Sequence, residues 1–331
     1  MPATRGRSIW PVTRTPTITP PQFGVSGTGR ATGLRNSAEA QVFYVNPNFP
    51  GAVDNRDGTE PTAPFATVAA ALAACQDFRG DIIVVAPNDA WQYGPLTTTQ
   101  NTAILESVTV TVHGVSIIGT ASSSSIGVSW GPAADDGTCI TVHASDVLIE
   151  GFVFSGQIGA LTGADGIFVE WDGVTLWGDT CTIQHCTFDD AIDTAIQFEF
   201  SWHSNVIDCY FDQCDDYGVF VDTAGSGAAN LQILDCTFLN VGTGAMTLED
   251  TDLSVVQGCK VYNGAAQGGG AATDEGIITT GGSENQILDN YFSCLLPGPG
   301  AGDLDDLCTG AASDAWISNH CLDGLVVATP A

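Results

Sequence analysis

Apolar residues recur at fixed positions in a unit that repeats through the second half of the chain. The unit has six residues, with an apolar side chain at its first and sixth positions and Cys or Asn at its fourth. Five clear copies begin at Ile183, Val206, Ile233, Val256 and Ile287. Looser copies begin at Ile149 and Ile317, and the seven copies are spaced by 34, 23, 27, 23, 31 and 30 residues. A unit that recurs every 20 to 50 residues or so is typical of a solenoid, because each repeat buries its apolar face against the next.

A second short apolar segment follows most of these units, and four of the five segments end in an acid. The segments are Gly166–Glu170, Ala195–Glu199, Gly218–Asp222, Gly244–Glu249 and Gly276–Thr280. Similar β-branched segments precede the repeats at Val108–Val112, Val115–Ile118, Cys139–Val142 and Val147–Ile149. Such segments predict strands. No helical periodicity of 12 or more residues follows Cys75, which excludes a leucine-rich repeat. We therefore predict an all-β parallel β-helix with inward columns of Ile/Val, Cys/Asn and Phe.

Two different segments precede the solenoid. Residues 39–106 contain a predicted strand at Val42–Val45, an Ala-rich helix within Pro64–Cys75 and a buried strand at Asp81–Ala86, which together can cap the open end. Residues 1–38 are rich in Pro, Thr, Gly and Arg and predict an extended arm. The predicted domains are the arm 1–38, the cap 39–106, the β-helix 107–322 and a tail 323–331. Gly- and Pro-rich loops are expected at 264–273 and 296–309.

The charge is divided between the arm and the rest of the chain. The formal net charge is −30, yet residues 1–38 carry five Arg and no acid, whereas residues 81–331 carry Lys260 against 33 acids. The acidic part would repel nucleic acid and anionic membranes, and no apolar run is long enough to span a membrane. The arm is either a solvated tail or a segment that binds a partner. Its candidate contact residues are Arg5, Arg7, Ile9, Trp10, Arg14, Phe23, Arg30 and Arg35.

Eleven cysteines are many for 331 residues, and four of them share the fourth position of the repeat. These are Cys186, Cys209, Cys236 and Cys259. Side chains stacked in register point the same way, whereas a disulfide needs Cβ atoms that face each other. We predict free, buried thiols, as expected for synthesis in the reducing cytoplasm of a host cell. No C-x-x-C pair occurs and the His residues are scattered, so we predict no zinc site.

The cap carries a resemblance to a known group. The segments Phe43–Asn48, Asp57–Pro61, Ala63–Leu72 and Gly80–Pro87, with Gly114–Gly119, resemble a module of right-handed parallel β-helix proteins of tailed bacteriophages. The resemblance covers about residues 39–320. It implies a right-handed, single-stranded β-helix of the pectin-lyase-like type. It also implies a capsid decoration protein, head spike or tailspike that assembles as a homotrimer. The same fold serves pectate lyases and glycoside hydrolases, so the fold alone does not decide the function.

The acids that end the second strands are the candidate catalytic residues. They are Glu170, Glu199, Asp222 and Glu249, and nearby turns add Asp165, Asp193, Asp215, Asp216, Asp274 and Glu275. Stacked carboxylates suit three roles: acid/base hydrolysis of a glycan, Ca²⁺ binding, or a solvated surface that keeps the strands soluble. Three tryptophans, Trp171, Trp177 and Trp202, are expected either to stack on sugars or to anchor loops and subunit contacts. The uronate lyase reaction of the pectate lyase group is implied by resemblance to need an Arg or Lys base and cations for the substrate carboxylates. Lys260 is the one base after Arg79, so we predict that the protein is not a uronate lyase.

These observations favour a structural protein of the virion surface over an enzyme. The basic arm is expected to bind the major capsid protein or another virion protein, with no resident metal or other cofactor. The alternative is a tailspike that binds or hydrolyses host surface polysaccharide. A cellular carbohydrate-active enzyme is disfavoured, because no apolar signal segment follows the N-terminus.

Overall fold

The structure is a computed structural model, and it describes residues 39–86, 104–120, 128–156, 163–189, 192–222, 227–262, 275–293, 308–309 and 314–321. The arm 1–38 and the tail 323–331 lie outside these residues. Within them the chain forms 27 strands and one helix, and every strand pairing joining named strands is parallel. The helix has seven residues, and no helix in the described ranges has the length and apolarity needed to cross a membrane.

The described strands belong to three sheets. Sheet A contains β1 (Val42–Val45), β2 (Ile82–Val85), β5 (Ser116–Gly119), β8 (Leu148–Glu150), β11 (Thr182–Gln184), β14 (Asn205–Ile207), β17 (Gln232–Leu234), β20 (Val255–Gln257), β23 (Gln286–Leu288) and β26 (Ala315–Ile317). Sheet B contains β3 (Ile104–Leu105), β6 (Val128–Gly131), β9 (Phe152–Ser155), β12 (Thr187–Asp189), β15 (Tyr210–Asp212), β18 (Thr237–Leu239), β21 (Lys260–Tyr262), β24 (Tyr291–Ser293) and β27 (His320–Cys321). Sheet C contains β4 (Val108–Val110), β7 (Thr138–Val142), β10 (Asp165–Val169), β13 (Thr194–Phe198), β16 (Tyr217–Val221), β19 (Gly244–Glu249), β22 (Glu275–Thr280) and β25 (Cys308–Thr309).

Each turn of the chain contributes one strand to each sheet in the order A, B, C. The register then repeats from one turn, or rung, to the next: Ile183 pairs with Val206, and Val206 pairs with Ile233. This is a parallel β-helix, as the repeat predicted. The strands at 104–105 and 128–131 were not foreseen, and Cys308–Thr309 is a strand of sheet C although the sequence predicted a loop there.

The six-residue unit is not one strand but a corner between two sheets. In the first clear copy β11 ends at Gln184 and β12 starts at Thr187. Its third residue, His185, has a left-handed φ of 52°, and the same position holds Asp208, Asp235 and Asp289 with φ of 49°, 55° and 55°. Short polar side chains tolerate this conformation. The chain therefore turns sharply at the third residue of each copy, and a rung has three strands rather than two.

The last copy begins one residue earlier than its sequence suggested. Trp316, not Ile317, pairs with Ile287, so the last spacing is 29 residues. The side chain of Trp316 is 7% exposed and that of Ile317 is 56% exposed. A shift of one residue reverses which side chains face the core, and this register also places Asn319 in the Cys/Asn column.

Aromatic rings stack along the interior behind sheet B. Phe154, Phe188, Phe211 and Phe238 form a continuous column with ring centroids 5.0, 5.1 and 4.4 Å apart. All four are at most 1% exposed. Because the rings extend across the interior, glycine occupies inward positions of sheet C: a Cβ on Gly218 would lie 2.6 Å from the Phe238 ring.

The Cys/Asn column is held by hydrogen bonds to the backbone. Cys186, Cys209, Cys236 and Cys259 are free and buried, and so are Cys139, Cys181 and Cys214. The thiol of Cys236 lies 3.3 Å from the carbonyl oxygen of Leu234, in position to donate. Asn290 continues the column: its Nδ2 donates to the carbonyl of Val256 at 3.1 Å and its Oδ1 accepts from the Cys259 N–H at 2.8 Å. Both the oxygen and the nitrogen of the buried amide therefore have hydrogen-bond partners.

The segment ahead of the rungs has a strand, the helix α1 (Val68–Ala74) and a second strand where the pattern predicted them. Thr67 caps the helix by accepting from the Ala70 N–H at 3.1 Å. Because β1 and β2 are the first two strands of sheet A, this segment continues the solenoid rather than standing apart from it. The domain boundaries after residues 38, 106 and 322 stay predictions.

Candidate functional site on the outer face of sheet C

The outer face of sheet C carries two parallel columns of side chains. Strands β10, β13 and β16 share one burial pattern, in which the first and fourth residues are partly exposed and the others are buried. The fourth residues, Phe168, Gln197 and Phe220, pair in register. The tyrosine Tyr217 stacks on Phe220 with centroids 4.7 Å apart. The partly exposed rings of Phe168, Phe220 and Tyr217 therefore lie on this face, and we call them the aromatic floor.

An acidic column borders this floor. Glu170, Glu199 and Asp222 follow directly after Val169, Phe198 and Val221, which pair in register, and Glu249 ends β19. The structure therefore brings together all four acids that the sequence singled out. Carboxylates on neighbouring rungs are carried by backbones about 4.8 Å apart. That spacing is close to the roughly 5 to 5.5 Å between the two carboxyl groups of a retaining glycosidase.

Glu199 differs chemically from its neighbours in the acidic column. Burial raises its pKa, and the negative charges of Asp222 and Glu170 raise it further. On the preceding rung, Glu170 accepts a hydrogen bond from His143 through Nε2 at 2.8 Å, when that nitrogen carries a proton. A raised carboxyl pKa favours the protonated form that a general acid needs.

A second group of acids lies at the opposite border, where the chain enters sheet C. Burial raises the pKa of Asp165, and the charges of Asp193, Asp216 and Asp136 add to this. The carboxylate of Asp165 accepts from the Thr194 N–H at 3.2 Å. Within the described residues no three His, Cys, Asp or Glu side chains are arranged to hold a metal ion. Asp274 and the side chain of Glu275 lie outside the described residues.

Three aromatic rings meet at the corner beyond the acidic column, those of Trp171, Trp177 and Phe200, and Trp202 follows two residues after Phe200. We call these four residues the tryptophan corner. Trp171 and Trp177 pair across a short antiparallel turn, and their rings stack with centroids 5.0 Å apart. The ring of Phe200, one rung further on, meets Trp171 edge-on at 5.7 Å. Trp177 remains 40% exposed and Trp202 55% exposed.

Sequence reasoning found the acids and the tryptophans but missed the aromatic floor. In the sequence Phe168 and Phe220 look like ordinary apolar residues of their strands. The signal that identifies them is their fixed distance of two residues from the acid that follows, at Glu170 and Asp222. The proposed contact residues of the arm, from Arg5 to Arg35, lie outside the described residues.

Solved structures resemble this chain in fold. A rhamnogalacturonan lyase aligns with a TM-score of 0.56 at 13% identity over 77% of this chain and 68% of its own. A GH136 lacto-N-biosidase from Eubacterium ramulus aligns with a TM-score of 0.56 at 12% identity over 85% of this chain. The alignment spans 55% of that enzyme, so its activity cannot be transferred as a whole. ORF18 of Geobacillus virus E2 aligns at 13% identity over 84% of this chain and 60% of its own, but its TM-score of 0.48 supports no argument.

At identities this low the structural likeness shows the fold alone. No curated protein matches the chain in sequence. A family profile does match it: the family described as "Right handed beta helix region" aligns with residues 98–293, which is more than half of the 331 residues. The chain belongs to the right-handed β-helix family.

Proposed function

We propose that this protein is a structural component of a tailed-phage virion, a decoration, cement or head-spike protein bound to the capsid by residues 1–38. The observation that carries the proposal is the segregation of charge. Five arginines without an acid precede a body in which residues 81–331 have one base and 33 acids. A basic arm can bind an acidic partner surface, and the same surface repels the acidic body.

The β-helix supports a scaffold role. Its rungs are joined by parallel pairing in all three sheets and by a continuous buried core. Such a solenoid gains its stability rung by rung from neighbouring interfaces. A homotrimer is part of the proposal. It predicts a particle of three times the 34.3 kDa chain mass in sedimentation or light scattering.

The test compares full-length variants for binding to virions stripped of this protein. Replacing the five arm arginines by glutamine should abolish binding, and deleting residues 1–38 should do the same. The matched control removes two exposed cations from the body, Arg56→Gln with Lys260→Gln, and should bind as the wild type does. If the arm variants bind as well as the wild type, the anchoring role is wrong.

A second candidate function is binding or hydrolysis of a host surface glycan on the outer face of sheet C. The specific observation is that an aromatic floor and an acidic column share that face, with Glu199 holding its proton more tightly than a free carboxyl group. In this reaction Glu199 protonates the leaving glycosidic oxygen. A carboxylate one rung away, Glu170 or Asp222, acts as the nucleophile or base.

Incubation with host capsule or O-antigen tests hydrolysis through the appearance of new reducing ends. Glu199→Gln should abolish cleavage, whereas Asp235→Asn, which removes an exposed charge at a corner between sheets A and B, should leave it unchanged. If no reducing ends appear, the face does not hydrolyse that glycan, and the virion proposal is unaffected.

A further inference from the structure

The tryptophan corner presents flat apolar rings in an acidic setting. Trp177 and Trp202 expose 40% and 55% of their surfaces, and Val174, at the tip of the same turn, exposes 75%. The ring of Trp177 stacks on Trp171, and the Trp202 backbone N–H donates to Asp179 Oδ1 at 2.8 Å. An exposed indole offers a flat apolar surface on which the face of another ring can stack.

The charges around the tryptophan corner are almost all negative. Glu170 and Glu199 directly precede Trp171 and Phe200 in sequence, and Asp172 lies in the turn that carries Trp177. Backbone N–H groups of Val174, Thr175 and Leu176 donate to Asp172 and lower its pKa, so this carboxylate remains ionised. The nearby imidazole of His143 is engaged by Glu170 at 2.8 Å. A ligand at this corner therefore meets carboxylates and ring faces together.

This combination selects the charge of the ligand. An anionic sugar would be repelled, as would the acidic body of a second copy of this chain. A cation gains twice, since it is attracted by the carboxylates and by the negative face of an indole ring. The partner fitted by the corner is therefore cationic and carries a flat apolar ring face.

The composition of the patch favours a glycan over a protein. A stable protein interface buries about 800 Å² on each side. Its centre is depleted in charged residues. Here three exposed apolar side chains, Val174, Trp177 and Trp202, lie among carboxylates. This mixture of exposed rings and carboxylates differs from the centre of a protein interface and suits a sugar, which combines a flat apolar face with polar groups at its edge.

We propose that the tryptophan corner binds a glycan whose sugars carry free, protonated amino groups. The sugar face stacks on Trp177 or Trp202, and the ammonium group pairs with the carboxylates that border the corner, Asp172 above all. This inference rests on the second candidate function, glycan binding, and adds the charge class of the glycan and the place where it binds. It does not depend on hydrolysis.

The experiment compares three hexasaccharides by calorimetry on the full-length protein: a glucosamine hexamer, the N-acetylglucosamine hexamer of the same linkage, and a galacturonate hexamer. The titrations use a pH at which the amines are protonated and an ionic strength of about 0.15 M, which screens distant charges. The glucosamine hexamer should bind at least about tenfold more tightly than its acetylated form. The galacturonate hexamer should not bind, and tryptophan emission should change with binding.

Matched variants separate the corner from general attraction between opposite charges. Trp177→Ala and Trp202→Ala keep every charge, and at least one of them should weaken glucosamine binding at least about tenfold, which identifies the ring that stacks on the sugar. Trp202, the more exposed ring, is the variant less able to perturb folding, and thermal unfolding checks both. Asp172→Asn, which keeps an oxygen to accept the backbone hydrogen bonds of the turn, should weaken binding, whereas Asp235→Asn, an equal loss of charge elsewhere, should not.

Each outcome decides a different claim. Equal or tighter binding of the acetylated hexamer overturns the charge selection but leaves glycan binding in place. Binding that is unchanged in both tryptophan variants overturns the corner as the site. Binding of no hexamer overturns the inference and removes the support of glycan binding at this corner. The proposed virion role, tested through the arm, stands or falls separately.

Discussion

Substitution of Phe211 by alanine tests whether stacking along the interior stabilises the fold. The ring of Phe211 is fully buried, with the parallel rings of Phe188 and Phe238 at 5.1 and 4.4 Å on either side. A buried Phe→Ala change costs about 3 to 5 kcal/mol through lost transfer free energy and the cavity left behind. An aromatic pair contributes about 0.5 to 1.5 kcal/mol beyond burial. Because this substitution breaks two such pairs, we expect a cost at the upper end, about 4 to 5 kcal/mol.

Phe292→Ala is the matched comparison. Phe292 occupies the same column and is 4% exposed, but its register partners are Val261 and Cys321, which have no aromatic ring. It loses a similar burial without a stacked pair, so we expect about 3 kcal/mol. Phe211→Leu restores most of the volume but not the stacking, and should cost about 1 to 2 kcal/mol.

The assay is urea unfolding followed by far-UV circular dichroism and by hydrogen exchange. Hydrogen exchange is needed because a solenoid can lose its terminal rungs before its central ones, and it shows whether the rungs of Phe188 and Phe238 open together. The reasoning is refuted if Phe211→Ala costs less than about 2 kcal/mol, or no more than Phe292→Ala.

Three further predictions concern the cap, the pH dependence and the thiols. Asp81 is fully buried, pairs with Arg79 at 2.6 Å and accepts hydrogen bonds from the Gln41 and Gln76 N–H groups. Asp81→Ala should therefore lower the free energy of unfolding by about 3 to 5 kcal/mol, measured by thermal or urea unfolding. Asp77→Ala, at the exposed end of the same turn, should lower it much less. The bond between His185 and Glu150 raises the pKa of His185 and lowers that of Glu150. Its stabilisation is lost as pH falls through the lowered pKa of Glu150 and again as pH rises through the raised pKa of His185. The free energy of unfolding should therefore pass through a maximum between those two pKa values. The rise should be at most about 0.5 kcal/mol, since the imidazole is half exposed. This maximum should be absent in His185→Asn and present in His203→Asn. Burial raises the pKa of the Cys181 thiol to about 12 and the pKa values of Cys209, Cys236 and Cys259 well above their usual range. An alkylating reagent at neutral pH should therefore label these thiols only after the protein unfolds. If the native protein is labelled as fast as the unfolded protein, the column of buried thiols is wrong.

The repeat alone predicted the fold, because a period of apolar residues reports which side chains must stack. It did not reveal the corner inside each unit. Strands such as Thr182–Gln184 have three residues, too few for alternation to be visible, and the turning residue is His, Asp, Gly or Ser in different copies. The final copy was placed one residue late because Ile317 looks more like the other first positions than Trp316 does. The copy begins at Trp316 because Asn319 then lies next to Asn290 in the Cys/Asn column. That register depends on pairing with the neighbouring rung, which the sequence of one copy does not show.

The candidate site was foreseen in part for a similar reason. Stacking rungs by their period brings the acids of successive strands into one column, so Glu170, Glu199 and Asp222 could be grouped from sequence. The aromatic floor was hidden because Gly166 and Ile167 both face inward, which interrupts the alternation that would mark Phe168 as outward. The contact between Trp171 and Phe200 joins residues on different rungs, and side-chain direction in irregular corners is not encoded in a period.

The in-register columns make the length of this solenoid change in whole steps. Removal of residues 182–204, one complete rung of 23 residues, would bring Leu148 opposite Asn205. Ile149 would then pair with Val206, so the inward Ile/Val column would continue without a break. Any change that is not a whole rung must be absorbed where the chain passes between sheets. Between sheets B and C these connections range from a few residues to more than ten. Evolution can therefore rebuild the rim of the sheet C face by insertion and deletion while the floor beneath it keeps its geometry.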